Sequence, residues 1–170
     1  MGDLFASSEK PAAEFSPCRT WRYVLRRSWA PGRALGFILL NPSTADETQN
    51  DPTIRRCIGY ARAWGYGGIV LGNLFALRST DPAALYSAPD PIGPENNSWL
   101  LAIAREVAGG RIICGWGAHG ALNHRGAAVL AMLGRIGADL QALTQTKDGH
   151  PGHPLYLSAS LQPFALGPMN

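Results

Sequence analysis

Three runs of apolar residues constrain the fold of this chain more than any other feature of its sequence. They read ALGFILL (34–40), GGIVLGNLFAL (67–77) and RIICGWG (111–117). Strands that are apolar along their whole length are typical of parallel sheets, in which helices cover both faces. Segments with helical periodicity alternate with these runs, and this alternation predicts an α/β fold with a mainly parallel sheet.

The flanking segments complete the predicted architecture. Residues 20–29 alternate aromatic and aliphatic side chains with arginines, which is typical of a half-exposed strand, and a Pro-Gly turn signal at 31–32 predicts a hairpin into the 34–40 strand. Asp51 and Pro52 predict the start of a helix, as its N-cap and first residue. We expect a three-layer α/β/α sandwich with a short, mainly parallel sheet and an N-terminal antiparallel edge strand.

Length and composition narrow the class of protein. A chain of 170 residues is most simply one domain, and we expect a flexible N-terminal arm over residues 1–18 followed by a single domain over residues 19–170. The three cysteines lack metal-site spacing, so we expect no metal and no cofactor. The chain has no apolar segment long enough to span a membrane and no signal-peptide pattern, which favours a cytoplasmic protein without a membrane partner.

Unusual polar side chains follow the predicted strands where each strand ends. Ligand sites in open α/β sheets lie beyond the carboxyl ends of the strands, so these residues predict a pocket at that edge. The candidate residues of this pocket, with their apolar neighbours, are Asn41, Pro42, Ser43 and Asp46 after the first strand, Asn73 and Phe75 after the second, Trp116 and His119 after the third, and His150 and His153 after the last.

Each of these residues also has an ordinary structural interpretation. Asn41 and Asp46 are common turn residues, His150 and His153 could belong to a rigid surface loop, and Trp116 could be a core residue. Asn73, in the second apolar run, is harder to explain structurally, because a buried amide costs about 1–3 kcal/mol without a hydrogen-bond partner.

The ordered motifs of the chain resemble a known family. FILLNPSTAD, DPTIRRC, GNLFALRSTDP, GPENNSWL, IICGWGAHG and GHPGHPLYL together resemble the domain of unknown function 1643 family, over about residues 20–165. The family name implies no activity. The same order of motifs distantly resembles the uracil-DNA glycosylase superfamily, which implies an α/β/α sandwich that hydrolyses the N-glycosidic bond of a base in DNA.

The distant resemblance implies a role for several residues. Asn41 in LLNPS would position the hydrolytic water, Asn73 would read the edge of the base, and His150 would stabilise the departing base anion. Phe75 or Trp116 would stack on the base.

Two further roles are expected: assistance to Asn41 in activating the water, and contact with the substrate. An Asn cannot act as a general base, so Asp46 or Asp51 would have to assist it. Pro42 would also contact the base. The residues expected to contact phosphate or DNA are Ser43, Arg55, Arg56, Arg78, His119 and His153.

The expected function is therefore recognition of a nucleobase. The leading hypothesis is a DNA glycosylase-like hydrolase that excises a modified or mismatched, uracil-type base from single- or double-stranded DNA. The net charge of only +3 keeps a second hypothesis open, because proteins that bind duplex DNA usually carry a clearer basic surface. In that case the chain binds a base or nucleotide without excising it, or acts on free or hypermodified nucleotides. A structural or partner-binding α/β domain is a third alternative.

Overall fold

A seven-stranded mixed sheet runs through the computed structural model, which describes residues 10–167. The order of the strands across the sheet is β1-β2-β4-β3-β5-β6-β7. The inner strands β4, β3, β5 and β6 are parallel, and β1, β2 and β7 extend them antiparallel at the two sides. The strands are β1 (Ala13–Phe15), β2 (Arg22–Ser28), β3 (Ala34–Leu39), β4 (Gly68–Asn73), β5 (Arg111–Gly115), β6 (Asp139–Ala142) and β7 (Phe164–Ala165).

Helices cover both faces of the sheet. Residues of α1 pack with β3 in one buried cluster, and residues of α3 and α4 pack with the opposite side chains of the sheet in a second cluster. The α/β prediction is therefore confirmed. The α-helices are α1 (Pro52–Ala63), α2 (Ala84–Ser87), α3 (Asn96–Glu106) and α4 (Arg125–Arg135), and short 3₁₀ segments span Ala108–Gly110, Ala118–His124 and Pro154–Tyr156.

The start of α1 lies where the sequence predicts it. The Asp51 carboxylate accepts a hydrogen bond from the main-chain N–H of Ile54 at 2.9 Å, and Pro52 is the first helical residue. The cap fixes the direction in which the chain enters α1 from the loop after β3.

The predicted hairpin between residues 20–29 and the 34–40 strand is wrong. Strand β2 pairs with β4, while β3 lies between β4 and β5. β2 is therefore not an edge strand, and its first four residues are buried rather than half-exposed. Turn signals are local, and they do not determine which strand a segment joins across the sheet.

The predicted flexible arm over residues 1–18 also needs correction. Residues 1–9 lie outside the described part of the chain, but Ala13–Phe15 form the edge strand β1 and pair with β2. An ion pair between Glu14 and Arg26 at 3.2 Å joins the same two strands. These contacts join residues seven to twelve positions apart, and the mixed composition of the arm does not reveal them.

Register brings the carboxyl ends of three strands to one edge. Leu39 of β3 is paired with Asn73 of β4 on one side and with Gly115 of β5 on the other. A Cβ at position 115 would lie 2.9 Å from Cδ of Pro154, so glycine is needed there for the late loop to approach β5. None of the helices within residues 10–167 is both long enough and apolar enough to cross a membrane.

Candidate functional site

A cavity of about 440 Å³ lies beyond the carboxyl ends of β3, β4 and β5. Its volume is within the usual range for a site that holds one small molecule. Besides Asp51, which is described below, six residues predicted from the sequence line it, and these six come from four separate segments of the chain. They are Asn41, Ser43, Asn73, Trp116, His119 and His153.

Asn41 holds the entrance of the loop after β3 with one end of its side chain. Its Nδ2 donates to the main-chain oxygens of Ser79 at 2.9 Å, Pro42 at 3.1 Å and Leu77 at 3.5 Å. Three acceptors around one atom require an NH₂ group there, which fixes the orientation of the amide. Oδ1 has no donor within residues 10–167 and can accept a hydrogen bond from a ligand or water. Pro42, predicted to contact the base, is buried away from the cavity.

Asn73 is the last residue of β4, and its amide is almost completely buried. The side chain is 2% exposed, lines the cavity, and has a buried Nδ2 without a hydrogen-bond partner in the described part of the chain. Its main-chain oxygen is used, since it accepts a hydrogen bond from Nδ2 of Asn96 at 2.9 Å. A ligand in the cavity is a natural partner for the free amide group of Asn73.

Arg22, the first residue of β2, is a cavity residue that the sequence does not reveal. Its side chain is 2% exposed and makes one hydrogen bond, from Nη1 to the main-chain oxygen of Ala45 at 2.8 Å. Burial lowers the pKa of Arg22 to about 10, while the charge of Asp51 opposes this shift. An arginine that alternates with aromatic residues predicts exposure, and only the packing of the 45–51 loop over β2 buries it.

Asp51 links the helix start to the same wall of the cavity. Besides capping α1, its second carboxylate oxygen accepts a hydrogen bond from the main-chain N–H of Ala45 at 3.4 Å. Arg22 and Asp51 thus bind opposite ends of the Ala45 residue and do not form a direct ion pair. The sequence predicts Asp51 chiefly as a cap, and the structure adds that it lines the cavity.

Trp116 forms part of the cavity wall from within the core. Its ring is 1% exposed, belongs to the cluster beneath α3 and α4, and has a buried Nε1 without a partner among the described residues. A Cβ on Gly120 would collide with the ring, and a Cβ on Gly126 would lie 2.9 Å from Nε1. Trp116 is therefore fixed against two glycines, which favours a wall contact over a ring that turns to stack on a base.

The two histidines of the late loop occupy different environments. His153 lines the cavity, and its Nδ1 accepts a hydrogen bond from the main-chain N–H of Leu155 at 3.3 Å. Burial lowers the pKa of His153, although the charge of Asp51 opposes the shift, so the ring is neutral near pH 7 and carries its proton on Nε2. His150 is buried and does not line the cavity, which corrects its predicted catalytic position.

His119 and Tyr156 lie at the exposed part of the cavity. Nδ1 of His119 is 2.9 Å from the hydroxyl oxygen of Tyr86, and the two rings meet edge to face. Tyr156 is 86% exposed although it lines the cavity. An exposed tyrosine at the mouth of a cavity can stack on a flat ligand, and sequence reasoning did not identify it.

Asp46 and Phe75 do not reach the cavity, contrary to prediction. The carboxylate of Asp46 accepts hydrogen bonds from the main-chain N–H groups of Thr48 at 2.9 Å and Gln49 at 2.8 Å, and these bonds lower its pKa. It therefore stabilises a turn. Phe75 is fully buried in the core beneath α3 and α4.

The three arginines predicted to contact phosphate lie outside the cavity lining. Arg55 is exposed and donates to a main-chain oxygen of the loop before α1 at 2.9 Å. Arg56 donates to the main-chain oxygen of Leu157, and Arg78 lies 4.9 Å from the centre of the Phe15 ring. Arg56 and Arg78 thus help to hold neighbouring loops in place.

Most of the chain matches a known protein family. A family model described as a protein of unknown function (DUF1643) matches residues 22–155. The chain belongs to the DUF1643 family. The matched range includes every cavity residue described above except Tyr156, so the DUF1643 region supplies nearly the whole site. No curated protein and no solved structure matches the chain.

The DUF1643 cavity presents several hydrogen-bonding groups among its apolar wall residues. It combines a free amide oxygen on Asn41, an unpaired amide nitrogen on Asn73, the guanidinium of Arg22, and a neutral imidazole on His153. Across residues 10–167, no group of three or more His, Cys, Asp or Glu side chains is arranged to hold a metal ion.

Proposed function

We propose that this cavity recognises a nucleobase and hydrolyses its N-glycosidic bond in the manner of a DNA glycosylase. The single observation that carries the proposal is the unpaired, buried amide of Asn73 in the cavity wall. A carboxamide can exchange paired hydrogen bonds with the edge of a base, and a buried group without a protein partner gains most from doing so.

The second element of the proposal is water placement by Asn41. Its Nδ2 is anchored by three main-chain oxygens, so Oδ1 is held in a fixed position to accept a hydrogen bond from water. Positioning of this kind lowers a barrier by removing the cost of orienting the nucleophile. Asp51 is the carboxylate of the cavity wall. We assign to it the general-base assistance to Asn41 that the sequence left open between Asp46 and Asp51.

His153 completes the proposed reaction in place of His150. Its Nε2 carries the proton of a neutral ring, because Nδ1 accepts from the main chain. An N–H donor aimed at the departing base stabilises the negative charge that grows on it, an interaction that is strongest in the transition state.

The second candidate is a protein that binds, or acts on, free nucleotides. The arginines predicted to contact DNA favour it, because Arg56 and Arg78 are engaged with main-chain oxygens instead of forming an open basic surface. Duplex binding depends heavily on such basic surfaces.

Release of base from oligonucleotides tests the proposal. Single- and double-stranded substrates carrying uracil, hydroxymethyluracil, hypoxanthine or a mismatched thymine are incubated with the wild type and with Asn41→Ala and Asn73→Ala. We expect release of at least one base and a loss of about 100-fold in each variant. Asn97→Ala, an exposed amide on α3, is the matched control and should keep full activity.

Variants of the two histidines test whether His153 or His150 stabilises the departing base. His153→Gln should lose about 100-fold in rate, while His150→Gln should retain most of its activity. Release of no base from any substrate, or equal release by wild type and Asn41→Ala, would refute the hydrolytic proposal.

A further inference from the structure

We propose that Arg22 forms an anion site inside the cavity and that the ligand presents a terminal phosphate to it. The anion site itself depends only on Arg22 and its surroundings. The identification of the anion as the phosphate of a mononucleotide rests on the proposed recognition of a base and, of the two candidate functions, belongs to the second, in which the chain binds or acts on free nucleotides.

Arg22 has unused hydrogen-bonding capacity. A guanidinium carries five N–H donors, and the side chain of Arg22 uses Nη1 alone, for the oxygen of Ala45. Its Nε is buried without a partner, and no carboxylate lies within 4.0 Å of the group in the described part of the chain. Buried charges in proteins are ordinarily paired, so an anionic ligand is the missing partner.

The nearest carboxylate of the cavity wall does not fill this role. Asp51 accepts hydrogen bonds from the N–H groups of Ile54 and Ala45 and sits at the N-terminus of α1. The positive end of the helix dipole and these two donors stabilise its negative charge locally. The charge of Arg22 is left without a directly bonded counter-ion.

Two further buried groups indicate a ligand rich in hydrogen-bond acceptors. Nδ2 of Asn73 and Nε1 of Trp116 are unpaired, and both side chains line the same cavity as Arg22. All three unpaired atoms are donors. A ligand that offers acceptor oxygens, such as a phosphate and the carbonyl of a base, matches this set, whereas a ligand rich in donors does not.

The depth of Arg22 favours a terminal phosphate over one in a polynucleotide backbone. The side chain is 2% exposed, and a phosphodiester carries a nucleotide on each side, which prevents it from reaching a guanidinium within the wall. A monoester at the end of a small molecule has no such restriction. The cavity of about 440 Å³ suits one small ligand, and the inferred class is a free nucleoside monophosphate.

Calorimetric titration with deoxyuridine 5′-monophosphate, deoxyuridine, deoxyribose 5-phosphate and inorganic phosphate tests the inference. We expect the wild type to bind the nucleotide about 10- to 100-fold more tightly than the nucleoside, as a charged hydrogen-bonded contact provides. Arg22→Met should bind both equally, and Arg22→Lys should retain part of the preference.

Arg125→Met is the matched control. Arg125 is also a buried arginine with one side-chain hydrogen bond, from Nε to the oxygen of Leu74 at 2.9 Å, but it does not line the cavity. This variant should keep the preference for the nucleotide. Thermal melting shows whether each variant folds. If Arg22→Met does not fold, the nucleotide preference of the wild type is compared with that of Arg22→Lys.

The outcomes separate the two proposals. Equal wild-type binding of nucleotide and nucleoside, or a preference that survives Arg22→Met, would overturn the anion site while leaving base recognition intact. If deoxyribose 5-phosphate binds as tightly as the nucleotide, and Arg22→Met removes both, the anion site stands and the base-recognition proposal fails.

Discussion

Replacement of Asn73 by leucine tests whether the buried amide of the cavity serves a ligand or the fold. Asn73 ends β4 at 2% exposure, and no hydrogen bond within residues 10–167 engages its side chain. A structural residue should lose stability on replacement. Replacement of a residue that serves a ligand should instead make the protein more stable and weaken ligand binding, because the polarity of that residue brings no benefit to the free protein.

The expected gain follows from the burial of this amide. A buried polar group without a partner costs about 1–3 kcal/mol, and leucine at position 73 removes that cost. Leucine has the same branched shape as asparagine, and its somewhat bulkier methyl groups have room, since the side chain borders the cavity. For a chain of this size, each kcal/mol corresponds to a shift of about 2–4 °C in Tm, so we expect Asn73→Leu to melt about 2–12 °C higher than the wild type.

Asn96 provides the matched comparison. It is also fully buried, but its Nδ2 donates to the main-chain oxygens of Asn73 at 2.9 Å and Leu74 at 3.1 Å. Asn96→Leu should therefore lower stability by about 1–3 kcal/mol. Chemical denaturation and scanning calorimetry of the two variants measure the opposite signs directly. Equal destabilisation of both variants would show that Asn73 supports the fold, and the functional argument for it would be lost.

Three further outcomes can be measured on the same protein. Gly120→Ala should lower stability by about 1–3 kcal/mol in denaturation experiments, because a methyl group there collides with the enclosed ring of Trp116. Hydrogen bonds with Ser16 and Thr20 lower the pKa of Cys18 to about 7, so iodoacetamide should alkylate this exposed thiol rapidly, with a rate that rises through pH 7. Burial raises the pKa of Glu106, but its hydrogen bond and ion pair with Arg26 together have the larger effect and hold the pKa below its ordinary 4.5. The wild type should therefore be more stable than Glu106→Gln above pH 4.5, and this advantage should disappear as the pH falls through the folded-state pKa.

Controls for these three predictions lie elsewhere in the chain. Gly59→Ala on the exposed side of α1 meets nothing within 4 Å and should raise stability by about 1 kcal/mol, so a similar loss in both glycine variants would contradict the role of the Trp116 contact. Burial raises the pKa of Cys57 and of Cys114, and both should react only in denaturant. A stability difference at Glu106 that does not change between pH 7 and pH 3 would exclude the ion pair with Arg26 as its cause.

Much of the secondary structure is predictable because its signals are local. The apolar runs identify β3, β4 and β5, and an Asp-Pro pair identifies the start of α1. Strand pairing is different. β2 joins β4 because the central strands already use both edges of β3, and β1 adds to β2 through contacts with residues seven to twelve positions away. No turn signal carries that information.

The positions of some residues of the candidate site can likewise be predicted from the sequence, and those of others cannot. Asn41, Asn73 and Trp116 lie at the ends of buried strands or within two residues of them, so the parallel register places them at one edge once the fold is known. Asp46 and Phe75 follow the same two strands a few residues further along the chain, yet one supports a turn and the other fills the core. A displacement of one or two residues along the chain changes the direction of a side chain, and composition alone does not resolve it.

The sequence alone determined the α/β class, the strands that carry the site, and the edge of the sheet at which polar residues gather, because these depend on patterns within short segments. Only the tertiary structure decided that Arg22 is buried in the cavity wall and that His153, rather than His150, reaches the cavity. Both outcomes depend on how separate loops pack over strand ends. Burial is a property of the assembled chain, and a charged or titratable side chain acquires its function from the neighbours that packing gives it.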